Sequence, residues 1–301
     1  TGDWRTADQQ IDQVLALAKE FNDQSALAWG QTKKADLLGK PGQYFEASIW
    51  IKRALAAFDD IGDQEGAGQI RHNAGTQAAQ QGDFKKAKEL YQQSLAIRTE
   101  LGDDKNIANL LNNLGVVARS EGDQQLAYEL GKNALHIRRA IGDKWAIAIS
   151  RNNMGNIALD QGDYESARSQ LEEAVALQKE IGDRFYIANG LNNLGNVARE
   201  EGFTTQAWDF YRESMEINRD LGAQWSIAYL LEDMGCLAAQ SRTPETTLRL
   251  IGAASALRKS INARLSEVEQ VKVDRVVSSA RNSINKSQAS SAWSQGASMT
   301  L

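Results

Sequence analysis

Apolar residues recur along this chain at helical spacing, in runs cut by two kinds of Gly-containing punctuation that alternate every twenty residues. Within 164–181, Leu171, Ala174, Val175, Leu177 and Ile181 fall three or four apart, the stripe of an amphipathic helix. That run ends at Ile181-Gly182-Asp183. The same triplet stands at Ile61-Gly62-Asp63, Leu101-Gly102-Asp103 and Ile141-Gly142-Asp143, with Phe21-Asn22-Asp23 and Leu221-Gly222-Ala223 as worn ends. Twenty residues out of phase lie Gly2-Asp3, Gly82-Asp83, Gly122-Asp123 and Gly162-Asp163, with Gly42-Gln43 and Gly202-Phe203 as weaker members. Glycine takes the left-handed conformation that ends a helix, and the following Asp caps the next one. The pattern predicts two helices of about 17 residues per forty-residue repeat, each roughly 25 Å long. Two small-residue columns, Ala35/Gly75/Gly115/Gly155/Gly195/Gly235 and Ala7/Ala47/Ala87/Ala127/Ala167/Ala207, mark close approach within a pair. The two prolines, Pro41 and Pro244, both fall at turns between paired helices.

Counting in forties gives a half repeat over 1–20 and full repeats at 24–61, 64–101, 104–141, 144–181 and 184–221. A degenerate repeat follows at 224–261, with Thr243 as the expected cap before Pro244. The period then stops. Residues 264–284 keep helical spacing through Leu265, Val268, Val276, Ala280 and Ile284, and 286–297 are Ser- and Ala-rich around Trp293. The expected division is a repeat array over 1–261 and capping helices over 262–301, because terminal elements of such arrays cover the last apolar face. The chain opens on a mid-repeat punctuation, so it is expected to be a piece of a longer one.

Composition narrows the chemistry. The 301 residues carry 34 basic and 39 acidic side chains, a net charge of −5, which gives no global bias toward nucleic acid or anionic membrane. Residues 246–301 hold eight basic and three acidic residues, a solvated basic face. One cysteine, Cys236, cannot form an intramolecular disulfide, so the expected location is the cytoplasm. His72 and His136 lie in different repeats and make no zinc pair. Gly190 and Gly195 have the spacing of a phosphate loop, but Asn196 and Val197 stand where Lys and Ser or Thr are required. No enzyme activity, metal or cofactor is expected.

The words Leu114-Gly115, Ala118, Gly122-Asp123, Ala127 and Ala134, with LNNLGVVA at 111–118 and LNNLGNVA at 191–198, resemble the tetratricopeptide repeat (TPR). They are closest in form to its forty-residue branch, which includes the Leu-Gly-Asn repeat proteins, kinesin light chain and bacterial peptide-sensing regulators. The resemblance implies an all-α fold, a right-handed superhelical solenoid of stacked helical hairpins with C-terminal capping helices and about fifteen helices in total. The run Leu248-Arg249-Leu250-Ile251-Gly252-Ala253-Ala254, then Trp293 and Ser298-Met299-Thr300-Leu301, is similar to the C-terminal end of bacterial STAND-type signalling ATPases and transcription regulators. That implies a sensor arm that binds a peptide, protein or small inducer and acts on upstream domains of its own chain, without direct nucleic-acid or membrane binding. The alternative is a free-standing adaptor scaffold for protein–protein interactions.

Ligand binding is expected on the first helix of each pair. One column there reads Thr32, His72, Asn112, Asn152, Asn192, Glu232; the next reads Lys33, Asn73, Asn113, Asn153, Asn193, Asp233. Asn156 and Asn196 lie one turn on. Asn is a poor helix former, so its repetition mid-helix calls for an offsetting interaction. The carboxamide both donates and accepts, which suits the backbone of an extended peptide lying across 72–196; it equally suits a bond to a neighbouring helix. Arg71 and Arg151 replace Leu in their column. Their guanidinium groups either meet neighbouring carboxylates or, with His72, anchor an acidic group of the ligand. Trp145, Phe185 and Trp225 open successive hairpins and are expected to staple onto the preceding helix.

Overall fold

The computed structural model describes residues 4–39, 43–265 and 267–299, the side chains of 267 and 268 excepted. Gly2-Asp3, Pro41, Gly42, Thr300, Leu301 and the side chain of Val268 lie outside the described residues. Among the described residues there are fifteen helices and no strand, so the fold is all-α, as expected.

The chain forms two compact units, Thr1–Gly142 and Asp143–Leu301. In the first, α1 (Trp4–Glu20) precedes three hairpins: α2 (Gln24–Leu38) with α3 (Tyr44–Ile61), α4 (Gln64–Gln80) with α5 (Phe84–Glu100), and α6 (Asp104–Ser120) with α7 (Gln124–Ile141). The second holds α8 (Lys144–Asp160) with α9 (Tyr164–Ile181), α10 (Arg184–Glu200) with α11 (Thr204–Asp220), and α12 (Gln224–Gln240) with α13 (Pro244–Ser260). It ends in α14 (Glu267–Asn282) and α15 (Lys286–Ala297).

The punctuation works as its chemistry requires. Asp23, Asp63, Asp83, Asp103, Asp123, Asp143, Asp163 and Asp183 each accept a hydrogen bond from the backbone N–H three residues on. The glycine before most of these caps has a positive φ, for example 79° at Gly182, where a side chain would be strained. At the degenerate turn Arg242 takes that conformation, with φ 56°. Thr243 occupies the cap position of α13, but its hydroxyl donates back to the Ala238 carbonyl at 2.9 Å instead of capping forward. Pro244 at the first helical position, which needs no N–H, does the orienting there.

The small column sits under large side chains of the paired helix. A Cβ on Gly155 would lie 2.6 Å from Leu171, one on Gly235 2.6 Å from Ile251, and one on Gly75 2.7 Å from the Tyr91 ring. Leu171, Tyr211 and Ile251 are thereby almost wholly buried, and the cluster of Ala158, Ala167, Leu171, Val175, Leu194 and Val197 joins the α8–α9 hairpin to α10. At the C-terminal end Leu248 and Ile251 of α13 are covered by Val277 and Ala280 of α14 and by Ala289 and Ala292 of α15. Gly252 and Gly296 let α13 and α15 touch backbone to backbone, since a Cβ on Gly252 would meet the Trp293 carbonyl and one on Gly296 that of Arg249. The two separate words of the C-terminal run therefore meet in one contact. The α14 helix starts at Glu267, three residues later than the apolar spacing suggests.

Candidate functional site

The Asn columns lie on the first helices and are half-buried, with Asn112 and Asn152 nearly closed off at 9% and 8% exposed. Within each unit they lace one first helix to the next. In the first unit Asn73 Nδ2 donates to Asp36 Oδ1 at 2.7 Å, joining α4 to α2. Asn113 Nδ2 lies 2.9 Å from His72 Nε2, joining α6 to α4. In the second unit Asn193 Nδ2 donates to Asn152 Oδ1 at 3.0 Å, joining α10 to α8, and Asn192 Nδ2 donates to Asp233 Oδ2 at 2.9 Å, joining α10 to α12. Asn196 Nδ2 reaches the same Asp233 oxygen at 3.3 Å. Asn153 is engaged as well, whereas Asn156, four residues after Asn152, makes no hydrogen bond among the described residues. The Oδ1 of Asn192 is buried without a partner.

Asp233 is the hub of the second wall. Besides the two amides it receives Arg199 Nη1 on Oδ1 at 3.4 Å, and Arg199 also reaches the Tyr211 hydroxyl at 3.3 Å. Tyr211 in turn donates to Asn196 Oδ1 at 2.7 Å. Burial drives the Tyr211 hydroxyl well above its ordinary range despite the arginine beside it, so it stays a neutral donor. The Cys236 thiol, half-buried one turn on, is also pushed up by burial, which leaves it protonated and unreactive.

The cationic candidates are engaged. Arg71 donates to the Ala67 carbonyl at 3.0 Å and pairs with Asp59 of α3 at 3.4 Å. Arg151 donates to Gln170 at 2.9 Å and pairs with Glu173 of α9 at 2.6 Å. Both guanidinium groups are thus drawn to second helices, not to the Asn rungs. His72 is held below its ordinary pKa, first by burial and then by Arg98. A neutral ring with its proton on Nδ1 is what accepts from Asn113.

Two features escaped the sequence reading. The first is a polar column buried inside the hairpins: Arg98, Arg138, Gln178, Asn218 and Arg258 are all at most 6% exposed. Arg98 bonds the Glu65 carbonyl, Gln69 and Asp103, and Arg138 bonds Asn109 at 2.8 Å and Asn112. The signal was present, since these positions sit among the apolar residues of each second helix. The second is the direction of the aromatic column. Trp145, Phe185 and Trp225 are 43%, 45% and 57% exposed. Trp145 reaches forward: its Nε1 donates to Asp183 at 3.0 Å and its ring packs edge-on against Tyr186, both in the following hairpin. The tip of the indole finds a polar partner there.

Among the described residues no group of His, Cys, Asp and Glu is placed to hold a metal ion, and no helix is long and apolar enough to cross a membrane. Comparison with curated protein sequences gives no match. Among solved structures the fold is similar to BtubC (BKLC) from P. vanneervenii, at 21% identity and a TM-score of 0.62, over 73% of this chain and 91% of that one. It is also similar to the nearly identical TPR-like repeats assigned to a kinesin light chain of Podosopora anserina, at 17% identity and 0.53, over 64% and 95%. A chain of the APC/C hetero-tetramer Cut9–Hcn1 matches at 13% identity and 0.67, over 93% and 46%. The sequence itself matches the tetratricopeptide repeat family over residues 24–100, 66–140 and 106–180, together more than half its length. With the Gly-Asp turns, the small-residue column and the hairpin order in place, this chain belongs to the tetratricopeptide repeat family.

Proposed function

We propose that this chain is a protein-binding module whose first-helix walls hold an extended peptide segment, and that it serves as the regulatory arm of a larger bacterial signal-transduction ATPase or transcription regulator. The observation that carries the binding reading is the wall of α8, α10 and α12. Its amides are laced into a fixed row, so they are ordered before any ligand arrives, and the half-buried carboxamide of Asn156 is left unengaged beside them. The membership of a similar fold in the Cut9–Hcn1 hetero-tetramer supports a role in protein association. The regulatory reading rests on the C-terminal run around Leu248–Ala254 and Trp293. The candidate contacts in this wall are Asn152, Asn153, Asn156, Asn192, Asn193 and Asn196. In the first unit they are Asn112 and Asn113 beside Arg71 and His72, while Arg151 acts from its pairing with α9.

Selection of peptides from a displayed library on the full chain, followed by calorimetry, tests the binding reading. Asn156→Ala is expected to weaken a selected peptide by about 1–2 kcal/mol, the loss of a buried hydrogen-bonding group, without loss of stability because Asn156 makes no hydrogen bond among the described residues. Full affinity in that variant, with crosslinks mapping to the second helices, would place the binding surface elsewhere. The gene context tests the regulatory reading: a nucleotide-binding domain encoded in the same chain supports it, and its absence favours the adaptor scaffold.

A further inference from the structure

Three departures from the repeat fall on one spot in the first unit. Position 77 of α4 belongs to a column that is otherwise apolar: Leu37, Val117, Ile157, Val197 and Leu237, the last four at most 3% exposed. Gln77 stands there instead, only 8% exposed, and its side-chain amide makes no hydrogen bond among the described residues. The column of Thr76, Val116, Asn156, Asn196 and Cys236 begins with Asp36, its one charged member. The α2 helix ends at Leu38, so Gly39 takes the place of the helical Ala79, Arg119, Leu159, Arg199 and Ala239. In later hairpins this level is closed: Val117 shares a core cluster with Tyr91, and Val197 one with Leu171. Gln77 and Ile51 instead line a solvent-open cavity of about 270 Å³. A Cβ on Gly39 would lie 3.6 Å from Gln77 Nε2. Burying an amide without a partner is costly, and the other hairpins avoid it at this level.

We propose that this cavity receives a lysine or arginine side chain of the bound segment. The inference rests on the peptide-binding reading and adds to it one side chain that the peptide carries. Ala35, Gly39 and Ile51 offer an apolar wall for the alkyl stem. The cationic head lies between the Asp36 carboxylate, exposed at the mouth, and the Gln77 amide oxygen. Asp36 is the only charged residue lining the cavity, and no cation pairs with it among the described residues. Lys34 of the same helix is taken by Asp8 and Asp12, each at 2.7 Å. The other polar walls are engaged: Asn73 donates to Asp36 and accepts from Gln69 at 2.8 Å, and Thr76 donates to the His72 carbonyl and accepts from the Tyr91 hydroxyl, both at 3.2 Å. An acidic group would meet the Asp36 charge, and an apolar one would leave the Gln77 amide unpartnered. A cavity of this size, below the roughly 300–1,000 Å³ of pockets for larger ligands, suits one side chain. It opens beside the Asn73–Asp36 rung, so a segment lying along the Asn ladder passes its mouth.

The test titrates the full chain with capped Gly-Gly-Arg-Gly-Gly, with its Lys and citrulline counterparts and with free butylguanidinium, and follows the Gly39 backbone and Gln77 side-chain amides by heteronuclear NMR. Saturable shifts are expected with the Arg or Lys peptide. Citrulline keeps the shape of arginine and loses the charge, and is expected to bind at least about fivefold more weakly. Asp36→Asn and Gln77→Val are each expected to weaken the cationic peptide by a similar factor. Gln77→Val, which restores the apolar residue of the other repeats, is also expected to melt at or above the parent's temperature. The control Asp60→Asn, at an exposed carboxylate on α3, is expected to bind as the parent does. No saturable shift with any cationic ligand would overturn the proposal while leaving the peptide reading to the library selection, so the two fail separately. Three other results would overturn it as well. Binding of butylguanidinium without either peptide would assign the cavity to a small amine. Binding that appears only after Lys40→Ala, outside the described residues, would assign it to the chain's own lysine. Loss of both binding and stability in Gln77→Val would make the amide structural.

Discussion

Removing one partner of the Glu232–Arg258 pair is the sharpest perturbation of the second unit. Arg258 Nε donates to Glu232 Oε1 at 2.6 Å and Nη2 to Oε2 at 2.8 Å, with side-chain exposures of only 7% and 10%. The guanidinium also lies over the Tyr229 ring, 4.1 Å from its centroid. Two unit charges about 4 Å apart attract by about 4 kcal/mol at an effective dielectric of 20. Desolvation offsets much of this. Burial pushes the Glu232 carboxyl above its ordinary range in spite of the arginine, so the intact pair contributes little net stability. Breaking it is another matter. Glu232→Leu strips two of the three guanidinium nitrogens, and Nη1 already lacks a partner. Arg258→Met strands a buried carboxylate. Each single variant is expected to lose about 3–4 kcal/mol, and the double variant to lie within about 1 kcal/mol of the parent. Urea unfolding followed by Trp fluorescence, with hydrogen exchange on α12 and α13 to isolate the local unit, measures the cycle. The Arg258→Met deficit carries a pH signature. Without the arginine, the folded-state pKa of Glu232 rises further above its unfolded value. The group then contributes stability below the unfolded pKa that is lost as pH rises through the folded one, so the deficit shrinks on acidification. A coupling energy below about 0.5 kcal/mol, or a deficit independent of pH, would refute the reasoning.

The small column gives a paired prediction. Gly75→Ala puts a methyl group 2.7 Å from the buried Tyr91 ring and is expected to cost about 1–3 kcal/mol, whereas the nearest neighbour of a Cβ on Gly115 is the Ala127 carbonyl at 3.3 Å, so Gly115→Ala is expected to be neutral or to gain up to about 1 kcal/mol from helix propensity in a thermal melt. The Asp103 carboxyl feels burial upward, but hydrogen bonds from Asn106 and the Arg98 guanidinium prevail and hold it below its ordinary range. Its contribution is therefore present above the unfolded pKa and lost as pH falls through the folded one. Asp103→Asn is expected to cost about 1 kcal/mol near neutrality, narrowing in acid, by urea titration across pH. Deleting residues 286–297 uncovers Leu248 and Ile251 and is expected to cause aggregation or a large fall in Tm, and Trp293→Ala, which also removes the ring under Arg281, about 2 kcal/mol by the same melt.

Most of the helix boundaries were legible because Gly and Asp act locally: a left-handed residue and a cap need no knowledge of the rest of the chain. What failed did so where a residue's role is set by a partner that the local pattern does not name, five residues back for Thr243, 26 back for Arg258 and 38 on for Trp145. Thr243 has the right chemistry for a cap, yet the carbonyl of Ala238 competes for its hydroxyl. Trp145 looks like a staple by position, but Asp183 of the next hairpin supplies the acceptor its indole N–H needs. Arg258 and Glu232 are unremarkable charged residues in sequence, and only stacking buries them against each other. The short α2, ending at Leu38 where the other first helices run two residues further, is foreshadowed only by the Leu-Gly-Lys-Pro that follows its last apolar turn.

The Asn columns joined two readings that the sequence held apart. On α10, Asn192, Asn193 and Asn196 all use Nδ2 to reach a neighbouring first helix, so the donors fix the spacing of the wall. Lacing consumes acceptors as well: Asn152 Oδ1 accepts from Asn193 and Asn196 Oδ1 from Tyr211, while Asn192 Oδ1 is buried without a partner and the Asp233 carboxylate stands at the centre of the cluster. At the same time Arg71 and Arg151 are paired with carboxylates, and His72 is neutral. An acidic ligand group of the kind that Arg71, His72 and Arg151 suggested in sequence would have to draw both arginines from these carboxylates. Periodic Asn then serves the repeat twice, because one carboxamide holds two groups of opposite hydrogen-bonding sense: the nitrogen of Asn196 reaches Asp233 of the next first helix, and its oxygen accepts from Tyr211 of its own hairpin.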